Sequence, residues 1–212
     1  MIDLLENSKA LSEKESVLLY FSTGKDSLVC LDLMHRFMPG KFALCYMWTY
    51  PGISYRERFI KTIEDKYDVK VFQEPSYDVN NLMIREGIKI PRSSFKQKEN
   101  EIREKYKMLW LVYGYKKDDS LTRRGMLSNL PSGLDEKTHR AFPVAEWSEK
   151  HIFSYIKQNK IPLPVEYESG FRNIDIYKGE SLLWLKANYP EDYEKQKKRY
   201  PTMEADILRA EK

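Results

Sequence analysis

Along this chain, apolar and polar residues alternate between two rhythms. Val17 to Phe21 is an unbroken run of β-branched, aliphatic and aromatic residues, the pattern of a central strand buried on both faces. A polar hexad, Ser22-Thr23-Gly24-Lys25-Asp26-Ser27, interrupts it. Residues 28–38 then leave only Asp32, His35 and Arg36 polar, which predicts a largely buried helix ending near Pro39-Gly40. Phe42 to Trp48 predicts a second buried strand, Tyr55 to Tyr67 a second helix, and Val69 to Phe72 a third strand. The rhythm loosens over 75–94, where Pro75, Gly87, Pro91 and Ser93-Ser94 leave only short pieces. A helix over 95–107, a strand over Leu109 to Tyr113 and a strand near His139 to Val144 follow. Ser148 is a plausible N-cap for a helix reaching Asn159, and three more helices are predicted at 179–188, 190–199 and 202–211. Strands alternating with helices predict an α/β sheet with right-handed crossovers.

Composition narrows the class. At 212 residues with 42% hydrophobic and 13% aromatic residues, the chain can bury a sizeable core and is not expected to be disordered. No apolar run approaches the roughly 20 residues needed to cross a bilayer. The N-terminus lacks a basic start followed by an apolar core, so a cytoplasmic protein without membrane association is expected. Cys30 and Cys45, the two cysteines, both lie in apolar runs. With His35, His139 and His151 they cannot assemble a zinc site, and no disulfide framework is expected.

Charge is unevenly spread. Between Arg85 and Arg124 there are twelve Lys or Arg against six Asp or Glu, more surplus than the +4 of the whole chain, so an anion would be drawn there. Within this stretch, 95–107 alternates acids and bases, and the pairs Glu99–Arg103 and Glu101–Lys105 predict a solvated helix face.

The hexad lies where an open α/β sheet binds ligands, in the loop between the first strand and first helix. Unpaired N–H groups at the helix start, its dipole and Lys25 would converge on one anion. Gly24 allows close approach, and Ser22, Thr23 and Ser27 add hydroxyls, which suits a phosphate or pyrophosphate. No G-x-x-x-x-G-K-[ST] or G-x-G-x-x-G is present, which disfavours Walker-type NTPases and dinucleotide dehydrogenases. A plain helix cap with no ligand is the alternative.

The hexad resembles the PP-loop, S-G-G-x-D-S, of the ATP pyrophosphatase superfamily, with Thr23 in place of the first Gly. Gly114, Lys116, Asp119, Ser120 and Arg123 are similar to the G-x-R-x-x-[DE]-S-x-x-R of the phosphoadenosine phosphosulfate reductase family, with Lys116 where Arg is usual. PVAEW (143–147), the helix 148–159 and PLPVEYESGFR (162–172) resemble that family's downstream segment. The resemblance spans roughly residues 15 to 175. It implies a Rossmann-like three-layer sandwich over 1–175 with a mostly parallel five-stranded sheet, leaving 176–212 as a helical extension packed on it or on a partner.

The resemblance also implies an adenine nucleotide, ATP or the sulfonucleotide PAPS, with Mg²⁺ accompanying ATP. Ser22, Thr23, Gly24, Lys25, Asp26 and Ser27 would hold phosphates, with Asp26 a possible Mg²⁺ ligand. Lys116, Asp119, Ser120, Arg123, Arg124 and Arg172 would meet the distal phosphate or sulfate, and Lys25, Lys116 and Arg123 are the catalytic candidates. Tyr46, Met47 and Trp48 would flank adenine through backbone groups, and Trp48 and Tyr50 could stack on the base.

One departure bears on the chemistry. Reductases of this family attack the sulfonucleotide with a C-terminal Cys, and one branch adds cysteines for an iron–sulfur cluster, but no cysteine follows Cys45 here. Neither thiol-based reduction by this chain alone nor a cluster is expected. Two enzymatic readings stay open: action on ATP at its α-phosphorus, or a sulfonucleotide reductase or sulfotransferase reaction with a partner's thiol. A protein partner or homo-oligomer is possible in either. An inactive nucleic-acid-associated or assembly protein is the reading from another class, less favoured. It would use the basic stretch with Trp110, Tyr113 and Tyr115 and the aromatic, basic tail around Tyr189, Tyr193 and Tyr200.

Overall fold

A computed structural model of the chain describes residues 16–170 and 179–210. Five strands form the parallel body of the sheet. They are β1 (Val17–Tyr20), β2 (Phe42–Trp48), β3 (Val71–Pro75), β4 (Trp110–Val112) and β6 (Arg140–Ala141). A two-residue antiparallel strand, β5 (Leu134–Asp135), is added at the edge, giving the order β3-β2-β1-β4-β6-β5. The expected five-stranded sheet thus gains a sixth strand, and the strand expected over 139–144 shortens to Arg140–Ala141 because the chain turns back on itself to pair Leu134 with Ala141. β1 is fully buried between β2 and β4, as an unbroken apolar run requires.

Helices cover both faces. On one lie α1 (Lys25–Phe37), α2 (Ser54–Tyr67) and α6 (Glu149–Gln158), whose Leu28, Leu31, Phe59, Ile63, Ile152 and Ile156 pack with Leu19, Leu44 and Val112 of the sheet. On the other lie α4 (Phe95–Tyr106) and α5 (Leu121–Ser128), where Ile102 and Leu127 meet Leu18, Cys45 and Leu111. The loosened stretch contains one helix, α3 (Asp78–Arg85). The C-terminal helices α7 (Gly179–Asn188), α8 (Pro190–Arg199) and α9 (Met203–Ala210) bury Leu182, Leu185, Tyr193 and Ile207 with Tyr50, Ile53, Tyr55 and Leu82.

The helix over 95–107 is not a solvated face throughout. Glu99 is 2% exposed, accepting hydrogen bonds from Arg140 Nε and the Tyr113 hydroxyl, both at 2.8 Å, with Arg103 3.6 Å away. Lys105 pairs with Glu74 at 2.5 Å and Glu101 with Lys98 at 3.0 Å, in place of the expected Glu101–Lys105 pair. Glu74 of β3, Tyr113 just after β4 and Arg140 of β6 supply partners from beneath the helix, whereas Glu101 keeps a helical neighbour. No described helix is long and apolar enough to cross a membrane.

Candidate active site

Strand order reverses between β1 and β4, so the loops leaving their carboxyl ends diverge and open a crevice. A cleft of about 310 Å³ occupies it, lined by Ser22, Gly24, Asp26, Ser27, Gly114 and Arg123 at its polar end. Tyr20, Cys45, Met47, Phe95, Tyr113 and Tyr115 line its apolar wall, with Tyr167 at the rim.

The hexad wraps the start of α1. Gly24 is the N-cap and supplies no side-chain cap, so the first N–H groups of the helix have no partner within it. The Lys25 N–H donates to the Tyr167 hydroxyl at 2.9 Å and the Gly24 N–H to Ser22 Oγ at 3.3 Å. Ser27 Oγ donates to the Gly24 carbonyl at 2.9 Å. Thr23 takes a left-handed backbone, φ 63°, where the PP-loop pattern has glycine. This conformation is unfavourable for a β-branched residue. It is held by side-chain bonds: the buried Thr23 hydroxyl donates to the Ser22 carbonyl at 2.6 Å and accepts from the Arg56 guanidinium.

Gly114, just after β4, abuts the same loop. A Cβ there would stand 2.9 Å from the Asp26 carbonyl carbon and 3.0 Å from the Ser27 nitrogen, so only glycine lets the two segments meet. Beyond it a 3-10 turn, Lys117–Asp119, precedes α5, and the helix is capped by Ser120, which accepts from the Arg123 N–H at 3.2 Å. Asp118 and Asp119 do not cap it. Asp119 instead turns inward.

Charges alternate along the resulting ladder. Lys25 Nζ lies 3.2 Å from Asp26, whose other oxygen meets Lys116 Nζ at 2.6 Å; Lys116 reaches Asp119 at 2.8 Å, and Asp119 meets Arg123 at 2.6 Å. The Arg123 end is a cation, and the Lys25 end runs on to a further carboxylate. Lys25 also lies 4.0 Å from Glu149, and the Arg123 guanidinium covers the Tyr115 ring at 4.0 Å. Burial alone would raise the Asp119 carboxyl, but hydrogen bonds from Lys116 and Arg123 outweigh it and hold it below the usual carboxylate range. Burial likewise opposes the charge on Lys116, yet Asp119 and Asp26 hold its pKa above the ordinary lysine value. Lys116 and Asp119 thus each favour their charged forms.

The structure therefore brings together Ser22 to Ser27, Lys116, Asp119 and Arg123. Arg124 is turned outward, 4.0 Å from Asp118, with both side chains exposed. Arg172 lies outside the described residues. Along β2, Met47 faces the cleft while Tyr46 and Trp48 pack on the opposite sheet face, and Tyr50 is buried edge-on to Tyr200 at 5.5 Å. Trp48 and Tyr50 therefore do not line this cleft, whereas Met47 and its aromatic neighbours do. Asp26 already receives two lysines, and no group of three or more His, Cys, Asp or Glu able to hold a metal occurs among the described residues.

Arg56, Glu166 and Tyr167 are contributors that sequence reasoning passed over, although Glu166 and Tyr167 lie in the quoted PLPVEYESGFR. Arg56 Nη2 pairs with Glu166 at 3.1 Å; both are buried, and burial raises the Glu166 carboxyl despite Arg56. Cys45 also lines the cleft, but burial pushes its thiol up to about 12 and raises that of Cys30 as well, so neither is a ready thiolate. The rings of Trp110, Tyr113, Tyr193 and Tyr200, proposed above to stack on nucleic-acid bases, are buried in the cores.

The profile of the phosphoadenosine phosphosulfate reductase domain matches residues 16–177, and the chain belongs to this family. An uncharacterized protein of Methanocaldococcus jannaschii is 26% identical over 207 residues, covering 89% of this chain and 49% of that protein. The chain thus spans about half the length of that relative. Sulfate adenylyltransferase subunit 2 of Sulfurovum is 23% identical over 212 residues, covering 86% of this chain and 70% of the subunit. Among solved structures, the fold is similar to the phosphoadenylyl-sulfate reductase of Candida auris, in a phosphate complex. That match has TM-score 0.57 and 13% identity and covers 81% of this chain and 86% of the reductase.

Proposed function

We propose that the cleft binds an adenine nucleotide, with its phosphates over the Ser22–Ser27 loop and its base toward Met47 and Phe95, and that the protein acts on ATP at the α-phosphorus. The supporting observation is the ladder itself: two motifs 90 residues apart close on one another through Lys116 and Asp26, at the positive end of α1. In adenylyl transfer, an acceptor oxygen forms a bond to the α-phosphorus as the bond to the bridging oxygen breaks, and pyrophosphate leaves with the electron pair. Charge spreads over the phosphoryl oxygens, and fixed donors already in place lower its energy without reorganising. Lys25 and the α1 N–H groups would hold the departing pyrophosphate, and Arg123, anchored on Asp119 and Tyr115, would meet the distal end. Mg²⁺, entering on the nucleotide's phosphates, would offset their charge.

The family match supports a second reading, in which the ligand is a sulfonucleotide and a thiol comes from a partner, since both cysteines here are buried. Sulfate adenylyltransferase subunit 2 is by its name one part of an assembly, and a protein partner is proposed for this chain too. Calorimetric titration with ATP plus Mg²⁺, and separately with phosphoadenosine phosphosulfate, separates the readings. ATP is expected to bind the wild type, and Lys25→Ala to weaken it about ten- to a hundredfold, the range for losing a charged hydrogen bond. Binding of the sulfonucleotide alone would replace the first reading with the second, and binding of neither would sink both.

A further inference from the structure

We infer that Arg56 is a positioning residue for the phosphate loop: its guanidinium and Glu166 clamp Thr23 in a backbone conformation that a threonine does not hold unaided. The functional consequence rests on the nucleotide reading above, whereas the clamp itself does not. Three observations carry it. Thr23 has φ 63°, in the region where a Cβ and especially a β-branched side chain is penalised. Its hydroxyl, fully buried, is bonded on both sides, donating to the Ser22 carbonyl and accepting from Arg56. Arg56 is itself 6% exposed and is braced by Glu166, 1% exposed, at 3.1 Å.

The clamp has an outer frame. Glu166 belongs to the 3-10 turn Val165–Ser169, and its neighbour Tyr167 accepts the Lys25 N–H at 2.9 Å, so one turn holds the hexad directly at Lys25 and, through Arg56, at Thr23. Arg56 stands in the first turn of α2, whose own N-cap, Ile53, supplies no side-chain cap. Asp192 of α8 takes that place, accepting from the Ser54 N–H at 2.7 Å, and Gln196 donates to the Pro51 carbonyl at 2.7 Å. The C-terminal helices thereby fix the end of α2 that presents Arg56 to the loop. A glycine at position 23 would adopt the same backbone freely, so Thr23 makes the loop dependent on Arg56.

Amide hydrogen exchange of residues 22–27 in the ligand-free protein, read beside ATP titration, tests this. In Arg56→Met/Glu166→Gln, which removes both charges together, loop amides should exchange about tenfold faster or more, with the β1 and β4 amides unchanged, and the Kd for ATP should rise about ten- to a hundredfold. Adding Thr23→Gly should restore most of both, a rescue that a general loss of stability would not give. If the pair fails to fold, Arg56→Lys, which keeps the charge facing Glu166 but shortens the reach to Thr23, should loosen the loop in the same way. Unchanged loop exchange in the variant that folds, or a defect that Thr23→Gly leaves in place, overturns the clamp. If the wild type binds no nucleotide while the exchange pattern and its rescue hold, the clamp stands and the nucleotide reading falls.

Discussion

Two charged clusters of this protein look alike in sequence and differ in structure. Around Glu99, Arg140 and Arg103 bring their guanidinium groups to one buried carboxylate. Arg103 spends its remaining reach on the carbonyls of Leu109, Thr138 and His139, and the Tyr113 hydroxyl completes the set. Around Lys116, by contrast, two carboxylates are shared among three cations, and the ladder ends on Arg123, whose side chain is 40% exposed at the cleft. The first network closes on itself and fastens α4 to the sheet. The second ends at an open face beside a helix N-terminus, where an anion can join it. Number of charges therefore distinguishes the two clusters less well than whether each closes on itself or ends at the cleft.

The largest expected effect tests the closed network. Glu99→Ala leaves Arg140 without its carboxylate and should cost about 3–5 kcal/mol of unfolding free energy, with ATP affinity of the folded fraction unchanged. Chemical denaturation and calorimetry together check it, and a loss of affinity at constant stability would reverse the assignment. Arg123→Ala should do the opposite. Because Arg123 is substantially exposed, stability should stay within about 0.5 kcal/mol, while ATP binding weakens about tenfold or more.

Acid should strain both networks in the same direction. For Glu99, burial alone would raise the carboxyl, but hydrogen bonds from Arg140 and Tyr113 prevail and lower it, and Asp119 is lowered by Lys116 and Arg123. A carboxylate with a folded pKa below its unfolded value stabilises fully above the ordinary carboxylate range and loses that contribution as pH falls through the folded value. Unfolding free energy should therefore drop below about pH 4–5. Glu99→Gln should flatten its share of that slope and leave the share of Asp119, and a slope unaltered by the substitution would break the assignment. The smallest effect expected is that of Arg124→Ala. Paired among the described residues with exposed Asp118 at 4.0 Å, it should shift neither stability nor ATP affinity by more than about 0.5 kcal/mol.

Much of the fold was legible because burial writes itself into local pattern. Apolar runs without alternation belonged to strands covered on both faces, and β1 and β2 fall where those runs lie. The edge strand β5 was not legible, since its pairing depends on a reversal of the chain and two residues carry little periodicity, whereas β6 was read in place but too long, over 139–144. The hexad and the segment from Gly114 to Arg123 could each be read as anion-seeking, because N–H groups, glycine and cations are local features.

Their junction could not be read. That Gly114 touches Asp26 and Ser27, that Lys116 is shared between Asp26 and Asp119, and that Arg56 reaches Thr23 all follow from which loops the strand order brings to the same crevice. Glu99 was misjudged for the same reason: helical spacing places Arg103 nearby, but only the sheet supplies Arg140 and Tyr113 from below. By itself the sequence determined most of the elements, the family and the two anion-seeking segments, since these depend on neighbours within a few residues. Tertiary structure alone decided which charges are consumed and which stay open to a ligand, because electrostatic partners are chosen by distance in space and by burial, and neither is a property of chain order.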